Sequence, residues 1–426
     1  MRISFTSFSA LTFFRYDERL PSASLIMRSI PQNTPEARAV AKQKRERLEN
    51  APIPLEVGSS TRASADHPGR CEDSSLLLRR VGVAMVADGM GGVAGGDIAS
   101  QFVTKILREE TLTKVEGSAA TQEERDRFER MRHVFASKTE VRQTREDVEE
   151  GIRDVLFLMD EQLRETVQKS PLVAEQIAKQ LAHNQKTRPS AEYVRKEQQK
   201  MGTTGIVTKF WKGLDGKPRV TIGSVGDSRV YRLRDGVLER MTTDHSIVDI
   251  LVKNNIKDEK GRRVSNQADV DRERGEDVAS DEDPEVVLSS DDLMRVADDV
   301  VELQNAIPSI LQRCGGRVTL RDIRHYMFLS LGSGKLSRDP NSTHAPNIVT
   351  ADVRPGDVYI EASDGLVDNA KQKKILEEAM RLRKQPQQLS KRLADIAYEA
   401  SLQPGGKKDD VQVTVFCVAD EESSLN

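Results

Sequence analysis

Three aspartates stand where short apolar runs stop at a turn: Val86-Ala87-Asp88-Gly89, Ala362-Ser363-Asp364-Gly365, and Lys408-Asp409-Asp410 ahead of the final apolar run. Carboxylates at strand ends converge in space. A cluster of them repels itself unless a hard cation sits inside it, and an all-oxygen donor set suits magnesium or manganese rather than zinc. The chemistry expected of Asp88, Asp364 and Asp409 is therefore hydrolysis by a metal-activated water. Taken singly, each Asp-Gly pair is an ordinary turn. The argument needs all three, and it needs a scaffold that brings them together.

The elements that would do so are legible as periodicity. Runs at 75–78 and 81–87 read as neighbouring buried strands, the second ending at Asp88, and a glycine-rich turn leads into a helix over 96–107 with Ile98, Phe102 and Ile106 at helical spacing. From 115 to 200 the chain is dense in Glu, Arg, Lys and Gln, with Val148, Ile152, Val155, Leu156 and Met159 at three and four spacing, which predicts long amphipathic helices. Strands return at 205–211, 219–225, 230–233 and 237–241, the last two joined by a turn at Arg234-Asp235-Gly236, and together they read as an antiparallel meander. Residues 258–285 hold eleven acids against five bases, which predicts a mobile acidic loop with a helix over 291–313 behind it. The last third reads as a strand at 358–362, helices over 372–384 and 387–402, and a strand at 411–418 alternating in and out of the core.

The chain has 426 residues, which on length alone suggests two or three domains of about 150 residues each. The acidic motifs run from Glu72 to Asp410, so no central cut leaves a complete site, and one domain over 53–420 with a helical insertion at 115–200 and a flap region at 253–320 fits better. Residues 1–52 read as a disordered leader and 421–426 as a tail. A net charge of −3 argues against nucleic acid or a membrane surface as partner, and no run approaches the ~20 apolar residues of a membrane span. The three cysteines, Cys71, Cys314 and Cys417, form no CxxC and read as packing residues in a reducing compartment, with a cytoplasmic location expected.

The ordered set Cys71-Glu72-Asp73-Ser74, Asp88-Gly89-Met90-Gly91-Gly92, Met201-Gly202-Thr203-Thr204, Val225-Gly226-Asp227-Ser228-Arg229, Thr243-Asp244-His245-Ser246, Ser363-Asp364-Gly365-Leu366 and Asp409-Asp410 resembles the type 2C metal-dependent serine/threonine protein phosphatases. Each piece is weak alone, but seven in family order are not. The resemblance implies an α+β fold, a four-layer α-β-β-α sandwich of two antiparallel sheets flanked by helices, with two manganese or magnesium ions at one end and a third, weaker one. By the same resemblance Asp88 bridges both ions, the Gly89 carbonyl and Glu72 bind one, Asp364 and Asp409 bind the other, Asp73 orients a bound water, and Asp227 helps hold the third. It implies a phosphoprotein substrate and a role in signalling by dephosphorylation, and the helical insertion at 115–200 is a place for a protein partner.

Three positions depart from the family pattern. Pro68 stands where a phosphate-gripping arginine is expected, leaving Arg70 or Arg62 as substitutes, since an arginine fork matches phosphate oxygens bidentately. Met90 follows the Asp-Gly where animal relatives carry a histidine, so no protein general acid is assigned. Asp409-Asp410 replaces the usual Asp-Asn, and the second carboxylate either adds charge or caps a turn. His245 reads as a loop-holding side chain, and Ser333-Gly334-Lys335 lacks the remaining parts of a nucleotide P-loop. Two rival readings stand beside the phosphatase. One is dinucleotide binding through Gly89-Met-Gly91-Gly-Val-Ala94, which Asp88 opposes by its charge. The other is a catalytically inactive scaffold with the same fold.

Overall fold

The computed structural model describes residues 52–90, 94–109, 121–185, 188–265, 278–280, 286–299, 301–323 and 326–419. These fall within one compact unit, Asn50–Asn426. The expected leader up to residue 51, the tail at 421–426, the glycine turn at 91–93 and most of the acidic run between 266 and 285 lie outside the described residues.

In chain order the main elements are β1 (Leu55–Arg62), β2 (Asp73–Leu78), β3 (Val83–Met90), α1 (Gly96–Glu109), α2 (Gln122–Ala136), α3 (Arg145–Gln162), α4 (Pro171–Gln185), α5 (Ala191–Gln199), β4 (Gly205–Gly213), β5 (Pro218–Val225), β6 (Arg229–Arg234), β7 (Val237–Arg240), α6 (Ile247–Lys253), α7 (Ser290–Asp299), α8 (Val301–Arg313), β8 (Asn347–Asp352), β9 (Val358–Ala362), α9 (Gln372–Leu382), α10 (Pro386–Ser401) and β10 (Val411–Val418). One sheet has the order β1-β10-β9-β6-β7 and the other β8-β5-β4-β3-β2, with short strands Arg142–Gln143 on β4 and Gly202–Thr203 on β3. The main ladders of both sheets are antiparallel.

Three apolar layers hold four layers of structure together. Between the sheets lie Phe210, Val220, Ile222, Val230, Tyr359 and Phe416. The Phe210 ring meets Tyr359 edge-on at 5.4 Å and Phe416 at 4.9 Å, bolting one sheet to the other. Outside the seven-stranded sheet, Val83, Met85 and Val207 pack against Val103 and Ile106 of α1 and Val148, Ile152 and Leu156 of α3. Outside the five-stranded sheet, Val358, Ile360, Val411 and Val413 pack against Leu382 of α9 and Leu389 and Leu393 of α10. The arrangement is the α-β-β-α sandwich of two antiparallel sheets.

Several expectations are corrected by this packing. All eight residues of β10 are buried, so the strand does not alternate in and out of the core: odd positions face α10, even positions face the opposite sheet, and no face meets solvent. The meander from 205 to 241 is two hairpins in different sheets, because β4–β5 pair in one and β6–β7 in the other, with the chain crossing over at Gly226-Asp227-Ser228. Helix α3 is a layer of the sandwich itself, resting on β4, β5 and β8, while α4 and α5 pack on each other and add Ile177, Leu181 and Val194 to the same core. The acidic stretch is not wholly a loop where it is described: Arg263–Ser265 pairs in parallel with Val278–Ser280, and Ile256 and Val264 join the main core. The helix expected over 291–313 is two helices, α7 and α8.

Candidate metal centre

β2 and β3 pair in antiparallel register with Asp73 directly opposite Asp88. Like charges facing each other across a ladder destabilise it. The β3 end is held from the side by the Met201-Gly202-Thr203-Thr204 segment: Thr204 Oγ1 accepts the Asp88 N–H at 2.9 Å, and Thr203 Oγ1 and the Thr204 N–H donate to the Asp88 carbonyl at 2.7 and 2.8 Å. Thr204 Oγ1 also bonds Ser228 Oγ at 2.8 Å, which ties the crossover carrying Asp227 to the same point. Gly226 in that crossover has φ 100°, a conformation that lets the chain leave one sheet for the other.

The other sheet delivers its acids through β9 and β10. Ser363, at the end of β9, donates to Asp73 Oδ2 at 2.6 Å and accepts the Gln412 N–H at 2.9 Å, so one hydroxyl joins both sheets at the rim. Asp364 follows it and opens a one-turn helix, Asp364–Val367. Asp409 precedes β10, and Asp410 is consumed structurally: its two oxygens accept the Ser64 N–H at 2.6 Å and the Glu72 N–H at 2.5 Å. Its carboxylate thus holds backbone from two distant segments, and its charge also adds to the cluster beside Asp73. Glu72 is further fixed by Ser100 of α1, whose hydroxyl donates to the Glu72 carbonyl at 2.5 Å.

The electrostatics record how closely these groups meet. Burial, then the charges of Asp73, Asp364, Asp409 and Asp227, holds the Asp88 carboxyl well above its usual range. Asp73 is raised by burial and by Asp409, Asp410 and Asp364, against the pull of Ser363. Asp227 is raised by burial and by Asp364 and Asp244, and Asp409 is pushed up to about 6 by burial and Asp364. Glu72 is raised by burial, partly offset by Arg70 and His67. Asp364 alone is lowered: burial works against it, but the Lys407 ammonium and its hydrogen bond outweigh burial. Asp73, Asp88, Asp227, Asp364 and Asp409 thus belong to one rim, and Glu72 stands next to Asp73 with its carbonyl accepting the Gly89 N–H at 3.1 Å.

The two arginines separate. Arg70 reaches Glu72 Oε1 at 2.5 Å and lies at the rim, whereas Arg62 is engaged by Asp395 of α10. Arg229 pairs with Asp244 at 3.0 Å. His245 is a strut, accepting the Gly226 N–H at Nδ1 (3.1 Å) and donating from Nε2 to the Ala345 carbonyl (2.9 Å), and burial lowers its pKa. Cys71 and Cys417 are pushed up to about 12, first by burial, which leaves neither as a thiolate near neutral pH. The Gly332 and Gly334 N–H groups both donate to Asp160, so that loop cradles the protein's own carboxylate. β3 runs antiparallel to both its neighbours, which removes the parallel βαβ unit a dinucleotide site requires.

Sequence reasoning missed Lys407. Its ammonium contacts Asp364 and lies 3.0 Å from Asp368 and 2.9 Å from Asp409. A lysine two residues before an acid carries no spacing signal, because the contact depends on where the turn folds back. Among the described residues no three His, Cys, Asp or Glu side chains are arranged so that they could hold a metal ion. The donors nevertheless suit a hard divalent ion: all are oxygens, and Asp364 Oδ1 is buried without a hydrogen-bond partner.

No protein-family model and no curated protein matches the chain. Solved structures similar to it include the serine/threonine phosphatase PstP/Ppp of Mycobacterium tuberculosis, at 20% identity and TM-score 0.44, covering 86% of this chain and 100% of that one. MsPP of Mycobacterium smegmatis, solved with cacodylate, matches at 19% and 0.47 over 86% and 99%. The catalytic domain of PstP with two manganese ions matches at 20% and 0.42 over 86% and 99%. All three neighbours are described as serine/threonine phosphatases, MsPP as one of PPM type. Among the described residues no helix is long and apolar enough to cross a membrane.

Proposed function

We propose that the protein is a manganese- or magnesium-dependent phosphatase that hydrolyses phosphoserine and phosphothreonine in proteins. The observation that carries this reading is the meeting of Asp88, Asp364 and Asp409 at one rim, from strand ends of two different sheets, with Asp73 and Asp227 beside them. Five mutually repelling carboxylates with one buried, unpartnered oxygen gain most from divalent charge.

In this reading Asp88, the Gly89 carbonyl and Glu72 would hold one ion, and Asp88, Asp364 and Asp409 a second. Asp73, fixed by Ser363, would orient the attacking water, and Asp227 would help hold a weaker third ion. The bound ions would lower the pKa of a shared water towards neutrality. Of the two arginines, Arg70 beside Glu72 is the one that would draw in the phosphate, which its position supports, whereas Arg62 is engaged by Asp395. No side-chain nucleophile is required, which agrees with the two raised thiols.

The test is phosphate release from phosphoserine and phosphothreonine peptides by chelated protein, with and without added manganese. Manganese-dependent release from both is expected. Absence of release together with absence of manganese binding would leave the inactive scaffold standing instead.

A further inference from the structure

Lys407 and Lys408 are neighbours with opposite surroundings. Lys408 is half exposed and reaches Asp66 on the surface. Lys407 turns inward to three carboxylates, Asp364, Asp368 and Asp409, two of them proposed above as ligands. Its backbone is pinned from both sides: the Lys407 N–H donates to Asn369 Oδ1 at 3.0 Å, and Asn369 Nδ2 donates to the Lys407 carbonyl at 2.9 Å and to the Gly365 carbonyl at 2.9 Å. The side chain remains 30% exposed. Its four-carbon stem can therefore swing its charge out to water while the backbone, and with it Asp409, stays in place.

We propose that Lys407 is a tethered counter-cation that stands in for the divalent ion at the Asp364–Asp409 side of the rim, so that metal must displace it to bind. The inference rests on the metal-centre reading and adds to it a residue that sets metal affinity. The two cations compete on unequal terms. A divalent ion carries twice the charge and approaches a carboxylate oxygen at about 2.1 Å, against 2.9 Å for Lys407 on Asp409, so its attraction per carboxylate is about three times larger. Metal wins when abundant. The ammonium nonetheless raises the concentration needed, and without metal it keeps the cluster from forcing the rim apart.

The experiment titrates manganese into chelator-treated, full-length protein, following the signal of free manganese by electron paramagnetic resonance. Wild type is compared with Lys407→Gln, which removes the charge, and Lys407→Arg, which keeps it. Lys407→Gln is expected to bind manganese about tenfold more tightly or better and to melt lower in chelator, with the gap closing at saturating manganese. Lys407→Arg should stay close to wild type. Should Lys407→Gln be unfolded in chelator, the manganese dependence of its melting temperature reports the same affinity. Equal or weaker binding by Lys407→Gln, with wild type still binding, overturns the role of Lys407 and leaves the metal centre intact. Failure of wild type and both variants to bind manganese overturns the metal reading and this inference with it.

Discussion

At the scale of single residues, Asp88 and Asp364 carry the same chemistry in opposite electrostatic settings. Asp88 is raised by burial and by four neighbouring acids, whereas Asp364 is lowered by Lys407. Both Asp88→Asn and Asp364→Asn should cut manganese-dependent phosphate release by roughly a hundredfold or more. Their metal-free stabilities should part company. Asp88→Asn removes repulsion and should melt above wild type in chelator, while Asp364→Asn strips Lys407 of a partner and should melt below it. Calorimetry in chelator checks the pair, and melting shifts of the same sign would contradict the charge map.

Glu361 offers a second test at this scale. It lies in β9, fully buried between the sheets, and burial pushes it up to about 8 from 4.5. A carboxyl whose folded pKa is raised binds its proton more tightly in the folded chain. Its contribution to stability is whole below about pH 4.5, drains as pH rises, and is gone above about pH 8. Glu361→Gln should therefore melt higher than wild type at pH 8.5, and the difference should shrink towards pH 5. A pH-independent difference would mean that folding does not raise the Glu361 pKa.

Among elements, the loops that carry the acids are pressed against one another at glycines. A Cβ on Gly89 would overlap the Gly96 carbonyl, and one on Gly365 would overlap the Asp410 carbonyl. The constraint on Gly89 is therefore backbone meeting backbone. Gly365→Ala should cost roughly 1–3 kcal/mol and lower manganese affinity, because Asp364 and Asp409 shift together. Gly236, at φ 82° in the β6–β7 turn with open space around it, is a control. Gly236→Ala should cost about 1 kcal/mol through strain alone and leave manganese binding unchanged. Denaturant unfolding and manganese titration of both variants check this contrast.

Across the whole molecule, what could be read from sequence was what local rules govern. Strand–turn boundaries at Asp88 and Asp364, the 234–236 turn and the helices α1, α9 and α10 follow from periodicity and turn chemistry, and the structure has each within a few residues. What escaped was set by layers. β10 looks alternating because Gln412 and Thr414 fall between valines, yet both are buried between the sheets. The change of sheet at Gly226 leaves no trace in a one-dimensional pattern, since both hairpins are antiparallel whichever sheet they join. Lys407 was invisible for the same reason: its partners Asp364 and Asp368 lie about forty residues earlier in the chain. Metal binding should also act on the molecule as a unit, since ions that bind only the folded chain stabilise it by about 2.7 kcal/mol at a hundred times the dissociation constant. A melting temperature that ignores manganese would argue against any such site.

The most direct measurement is anomalous X-ray diffraction at the manganese absorption edge from crystals equilibrated with manganese. Two strong peaks a few ångströms apart, one in contact with Asp88 and Glu72 and the other with Asp88, Asp364 and Asp409, with the Lys407 ammonium withdrawn, is the expected result. Peaks absent from that rim, with Lys407 still on Asp364 and Asp409, would contradict the account.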